Sequence, residues 1–343
     1  LLPARGAELA MNQGSADGAF AHGRTVSSLH RRGFLKLAGT TLGAMALPAC
    51  ATPSGRDRGD APPIGMNMLL WTDRVGPEHF PIFARLKEAG FDGAEIPVGG
   101  GTSADYLAVR KALDDAGLRC TAVTSLPAEA NPIDADPAVR ANALTRLRET
   151  IDHCATLRAE VLCGPFHSAF KTFAGRGPTA AEMDWSAEVM AAAADHARPQ
   201  GLVLAAEFLN RFECYLVNTA ADTLRLCQLA NRPNFGMTYD THHAHIEVKN
   251  PSEAIAACAP FIRHIHVSEN DRGTPGSGQV RFAETFEALR RIDYRGWLTI
   301  ESFSRNSPEF AAAIHVWRDF FASPDDVWRD GITFIRDQWA HRR

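Results

Sequence analysis

The chain has 343 residues, with 36 Lys and Arg against 40 Asp and Glu and a formal net charge of −4. A mildly acidic chain with both signs interspersed lacks the basic face that nucleic acid requires, which argues against such a partner. Hydrophobic residues make up 45% of it, enough for one large core, and no long Pro/Gly/Ser-rich linker divides residues 61–343, so a single domain is expected there.

The first sixty residues are a different kind of sequence. Arg31 and Arg32 open the run RRGFLKLAG, small and apolar residues continue to Ala49, and the polar stretch TPSGRDRGDAPP follows. We read residues 1–60 as a twin-arginine signal peptide and linker that engages the twin-arginine export machinery and delivers the protein to the periplasm. The apolar part is too short, and too rich in Gly and Thr, for a membrane span. Ala49-Cys50-Ala51 fits ordinary signal peptidase, whereas Leu47-Pro48-Ala49-Cys50 fits a lipobox that would leave Cys50 lipidated; both readings stay open. Met11 is the expected translation start.

From residue 61 the chain alternates short apolar runs with amphipathic stretches. The strand candidates in order are IGMNML (64–69), GAEIPV (93–98), LRCTAV (118–123), EVLCGP (160–165), LVLAAE (202–207), FGMTYD (235–240), RHIHV (263–267) and WLTIE (297–301). Between them lie helical patterns such as PIFARLKEAG, DYLAVRKALDDAG, AVRANALTRLRETIDHCATL and AEVMAAAADHARPQG. Gly90, Gly117 and Gly201 fall where helix-terminating glycines belong. Eight such units over this length predict a (β/α)8 TIM barrel. An open doubly wound sheet also alternates strand and helix, but no Gly-rich phosphate fingerprint follows the first strand. The stretch from Ser323 to Arg343 is expected to add one helix outside the barrel. The seven cysteines form no CxxC pair, and apart from Cys50 they are read as buried small hydrophobes.

Glu207, Asp240, His266 and Glu301 each stand at or near the C-terminal end of one of the last four strands. In a barrel those ends open into one mouth, where active sites are built. Taken singly each has a simpler reading: a carboxylate paired to Arg or Lys, a helix cap for Asp240, a hydrogen-bonded core residue for His266. Taken together, three carboxylates converging in one pocket repel one another unless a cation sits among them. Three oxygen ligands and one imidazole suit Mn²⁺, Mg²⁺, Co²⁺ or Zn²⁺. His242, His243 and His245 crowd the expected loop after Asp240, His167 follows the fourth strand, and His153, His196, His315 and His341 are assigned to predicted helices.

The stretches EFLNRFECYLVNT (207–219), YDTHHAHIE (239–247), HIHVSENDRGTPGSGQV (264–280) and GWLTIESF (296–303) resemble the D-tagatose 3-epimerase and D-psicose (D-allulose) 3-epimerase group of the xylose isomerase-like barrels. The resemblance implies a sugar-binding isomerase in which Glu207, Asp240, His266 and Glu301 hold a divalent metal, most commonly Mn²⁺ or Co²⁺. It implies that Glu207 and Glu301 are the acid/base pair and that Glu213, His243 and Arg272 contact substrate. Inverting a carbon beside a ketone needs one carboxylate on each face of the substrate, and the metal stabilises the intervening enediolate. The first strand reads GMNMLLW, with Asn67 and Met68 where the family often carries aromatics, and the loop after the fourth strand lacks the family's usual Trp; these positions are expected to shape the far end of the substrate. The same site could serve a keto-sugar or keto-inositol lyase or dehydratase, and Cys50 keeps open a sugar-binding lipoprotein. A homo-oligomer is expected by resemblance.

Overall fold

The structure is a computed structural model that describes residues 61–340. The expected export signal, Cys50 and His341 lie outside the described residues. Eight parallel strands form one closed barrel: β1 (Ile64–Asn67), β2 (Gly93–Pro97), β3 (Arg119–Val123), β4 (Val161–Gly164), β5 (Val203–Glu207), β6 (Phe235–Asp240), β7 (Ile262–Val267) and β8 (Trp297–Ile300). Pairing of β1 with β8 closes the cylinder and removes the open-sheet alternative. The runs are apolar almost throughout because both faces of each strand are covered, by barrel filling inside and helices outside.

The described helices are α1 (Phe80–Ala89), α2 (Ser103–Ala116), α3 (Pro137–Leu157), α4 (Ala180–Ala197), α5 (Ala220–Ala230), α6 (Thr241–Glu247), α7 (Pro251–Cys258), α8 (Phe282–Arg291), α9 (Pro308–Ala313) and α10 (Pro324–Ala340). Local sequence sets their starts. Thr102, Thr179 and Thr219 each cap a helix with an acid three residues on, Asp105, Glu182 and Asp222, in reciprocal capping boxes. Gly90 and Gly117 end α1 and α2, and Gly201 ends the short 3-10 turn after α4. The expected terminal helix is α10, packed beside α8 and β8. The six cysteines among the described residues are free and buried. Two expectations change: His242, His243 and His245 lie on α6 rather than in a loop, and His315 follows α9 in a left-handed conformation rather than within a helix.

Gly164 ends β4 and launches the loop that roofs one side of the barrel mouth. Its φ is +119°, and a Cβ there would stand 2.1 Å from the Thr124 carbonyl oxygen. Gly164→Ala is therefore expected to cost about 2 kcal/mol or more. Gly175→Ala, at φ +69° in open space, is expected to cost less than that. Thermal melts of both variants check the contrast.

Candidate active site

The barrel's stagger sets the ring of candidate ligands. Glu207 pairs in register with Thr238, and Asp240 lies two residues further along β6. Asp240 pairs with His266, and His266 with Thr299, two residues before Glu301. Strands tilt in a barrel, so residues level at the mouth climb in register from strand to strand. Steps of two also keep each side chain pointing inward. A one-residue register shift between Met237 and Thr238 decides which face of β7 looks in: it pairs His264 and His266, rather than Arg263 and Ile265, with Thr238 and Asp240.

The four side chains are buried, and each offers a ligand atom within 4.8 Å of the others. His266 Nδ1 lies 2.9 Å from Glu207 Oε1, 3.5 Å from Glu301 Oε1 and 3.8 Å from Asp240 Oδ2. Asp240 is the helix cap of its simpler reading and also a member of the cluster: Oδ1 accepts from the backbone N–H groups of His242 and His243 to cap α6, while Oδ2 faces the other side chains. Burial pushes the Glu301 carboxyl up to about 8, reinforced by Glu207 and Asp240 and only partly offset by His266 and Arg272. Burial likewise raises Glu207. Burial would raise Asp240 too, but Arg272 and the neighbouring histidines hold it low. His266 is raised despite its burial by Glu301, Glu207 and Glu95. Three converging buried carboxylates, two of them driven towards the neutral form, are the donor set that a divalent cation fits.

Arg272 is the resident counter-charge. Its Nη1 donates to Glu301 Oε2 at 2.8 Å, Asp240 Oδ2 at 3.0 Å and Ser268 Oγ at 2.8 Å, and its Nη2 meets His243 Nε2 at 3.0 Å. The guanidinium lies over the Phe303 ring, 4.6 Å from its centroid. The residue is 8% exposed, so it is no surface loop residue. Its backbone is left-handed at φ +63°, a strained conformation for a long side chain. The loop is held in that shape by buried Glu269, whose oxygens accept from the N–H groups of Gly276, Gln279 and Val280.

A cavity of about 290 Å³ opens above this cluster, lined by Glu207, Glu213, His243, Arg272 and Glu301 on its polar side and by Leu69, Val98, Phe170, Phe303, Phe310 and Ile314 among its apolar walls. Every predicted substrate-contacting residue thus reaches one space. Glu213 meets His243 through Asn210, whose Nδ2 donates to Glu213 Oε1 at 3.1 Å and whose backbone N–H donates to His243 Nδ1 at 3.1 Å. His167 does not line the cavity; its Nε2 contacts the Glu207 carbonyl at 2.9 Å and braces that strand end. Asn67 and Met68 are fully buried beneath the cavity, so Leu69, not they, forms this wall. Sequence reading passed over Glu95, an acid inside the apolar run GAEIPV. It contacts His266 Nε2 at 2.9 Å, and the signal that picked out Glu207 was equally present there. Cys163, read as a plain hydrophobe, donates its thiol to Glu95 Oε2 at 3.2 Å.

A closed parallel barrel with a carboxylate-rich, metal-capable mouth defines a class, and the xylose isomerase-like TIM barrel family matches residues 83–338. The chain belongs to that family. Within it the similarity is to ketose 3-epimerases. A ketose 3-epimerase of Arthrobacter globiformis is 32% identical over 278 residues, covering 80% of this chain and 96% of that protein. An L-ribulose 3-epimerase of Methylomonas sp. (strain DH-1) is 31% identical over 281 residues, covering 80% and 97%. The crystal structure of a D-allulose 3-epimerase from Methylomonas sp. in complex with D-allulose superposes with a TM-score of 0.76 at 29% identity, covering 81% of this chain and 97% of the other.

The raised Glu301 carboxyl has a sign that can be tested. In the unfolded chain this group titrates near 4.5 and in the fold near 8, so its stabilising contribution is full below the lower value and lost as pH rises through the upper one. A divalent cation binds the ionised form, and its stabilisation grows over the same window. The gap in melting temperature between metal-loaded and metal-free protein is expected to widen from pH 6 to pH 8.5. In Glu301→Gln the widening should be reduced.

Proposed function

We propose that this protein is a divalent-metal-dependent ketose 3-epimerase that inverts a hydroxyl-bearing carbon beside a carbonyl by proton transfer through an enediolate. The observation that carries the reading is the pair Glu207 and Glu301: two buried carboxylates on β5 and the end of β8, lining one cavity and both pushed upward by burial. A carboxylate that titrates nearer neutrality is a better match for moving a proton to and from carbon. Strands three apart in an eight-stranded ring bring them to the substrate from different sides, as exchange between two faces requires. One takes the proton from carbon, and the other, holding a proton, returns it on the opposite face.

Glu207, Asp240, His266 and Glu301 would hold the metal, which supplies positive charge to stabilise the enediolate. Mn²⁺ is the proposed ion, with Co²⁺, Mg²⁺ and Zn²⁺ compatible with the same donors. Arg272 and His243 face the cavity with donors for substrate oxygens, and Glu213 orients His243 through Asn210. Burial and the neighbouring Arg272 keep His243 neutral despite Asp240. The apolar wall of Leu69, Phe170, Phe310 and Ile314 excludes water from the reacting carbon. The names of the relatives support a ketose as substrate. The run RRGFLKLAG supports export to the periplasm, and the resemblance supports a homo-oligomer.

The test is incubation of the metal-loaded protein with a panel of ketoses in D₂O, followed by NMR. Deuterium is expected at C3 together with the new epimer. Glu207→Gln and Glu301→Gln are each expected to lower kcat by about 10²- to 10⁴-fold, and chelation should abolish turnover until Mn²⁺ or Co²⁺ is restored. Loss of a β substituent without an epimer would replace this reading with a lyase.

A further inference from the structure

One fully buried acid has no place in the proton transfers. Glu95 lies on β2 with its ion-pair partners His264 and His266 and no Arg or Lys partner among the described residues. Its Oε1 accepts from His266 Nε2 and from Asn67 Nδ2, both at 2.9 Å. Its Oε2 accepts from Thr121 Oγ1 at 2.9 Å and from the Cys163 thiol at 3.2 Å. A carboxylate offers about four lone-pair positions, and these donors occupy them. His264 Nε2 stands 2.8 Å from the same Oε2 but is turned out of hydrogen-bonding geometry.

Asn67 is fixed as tightly. Its Oδ1 accepts from the Leu69 backbone N–H at 2.8 Å, which sets the amide's orientation and commits its two hydrogens. One goes to Glu95 and the other to Glu301 Oε1 at 3.0 Å. One acid thus reaches two members of the ligand cluster, His266 directly and Glu301 through Asn67.

We propose that Glu95, with Asn67, is a positioning element: it holds His266 with Nε2–H committed to Glu95 and Nδ1 presented to the ligand cluster, and it fixes the Glu301 carboxylate through the Asn67 amide. This rests on the metal site of the proposed function. A ligating imidazole needs its second nitrogen anchored to fix tautomer and ring plane, and a carboxylate is the usual anchor. The competing assignment makes Glu95, Cys163, His264 and His266 a second metal site, since their donor atoms are also close enough. It would have to displace the hydrogen bonds that Thr121, Asn67 and the Cys163 thiol already make to Glu95, and the positioning role leaves them in place.

Co²⁺ titration of the wild type, Glu95→Gln and Asn67→Ala tests this, together with ¹⁵N NMR of the His266 ring. The wild type is expected to bind one Co²⁺ with no thiolate-to-cobalt absorption band, and in its diamagnetic Zn²⁺ form to carry the His266 proton on Nε2. Glu95→Gln should bind Co²⁺ about 10- to 100-fold more weakly, and the His266 Nε2–H resonance of its Zn²⁺ form should shift as the hydrogen bond to the carboxylate is lost. Asn67→Ala should weaken binding with the His266 tautomer retained, and its titration decides the matter if Glu95→Gln fails to fold. Variants with wild-type Co²⁺ affinity and an unchanged ring spectrum would overturn the positioning role while leaving the metal site intact. Two Co²⁺ per chain, with a thiolate band lost in Cys163→Ser, would overturn it by making Glu95 a ligand. A wild type that binds no Co²⁺ would remove the metal site and this role with it.

Discussion

Three carboxylates buried at one end of a closed barrel are the constraint on which the rest of the site depends. Each alone carries a large desolvation cost, and together they repel. The fold answers with charge from three directions. Arg272 bridges Asp240 and Glu301 from the loop after β7, His266 meets Glu207 from within the barrel, and the first turn of α6 donates two backbone N–H groups to Asp240. Even so, one guanidinium and one imidazole do not cancel Glu207, Asp240, Glu301 and Glu95. Burial first, and this excess second, raise the proton affinity of the two glutamates that line the cavity, and the excess would favour a divalent cation. In the proposed function, metal binding and acid/base competence would share that electrostatic origin.

The barrel makes this convergence possible because its strand ends need no flexible loop to carry a ligand. Register steps of two along β6 and β8 offset the strand tilt, and the shift in β7 turns two histidines inward. Beneath the mouth, Thr121, Cys163, Asn67 and His264 surround Glu95 so that the interior is polar where most barrel layers are aliphatic. A buried polar network is tolerable only when its members find partners. Glu95 meets that condition, while His264 lacks a hydrogen bond at either ring nitrogen.

Much of this was legible in the chain. Apolar runs repeated at helix-length intervals predicted the strands, and the carboxylates closing three of them, with His266 near the end of a fourth, predicted the cluster that the fold brings together. Arg272 was found only by resemblance, since NDRGTPGSG reads locally as an exposed turn; its burial follows from Glu269 gathering the loop's N–H groups, a contact across several residues that periodicity cannot report. His264 and His266, two apart on β7, share one face, but which face looks inward depends on the irregularity beside Met237, which no local signal marks. Asn67 was misplaced for a related reason. Its side chain turns down toward Glu95 and Glu301 because Leu69 N–H fixes its amide, and that choice is made by partners 28 and 234 residues away.

Where a cation sits decides what this cluster does. Crystals grown with Mn²⁺ and measured for anomalous scattering would locate it without reference to any substrate. A single peak within bonding distance of Glu207, Asp240, His266 Nδ1 and Glu301, with Arg272 withdrawn from at least one carboxylate, is the predicted result. No peak at the mouth, or one only among Glu95, Cys163 and His264, would contradict it.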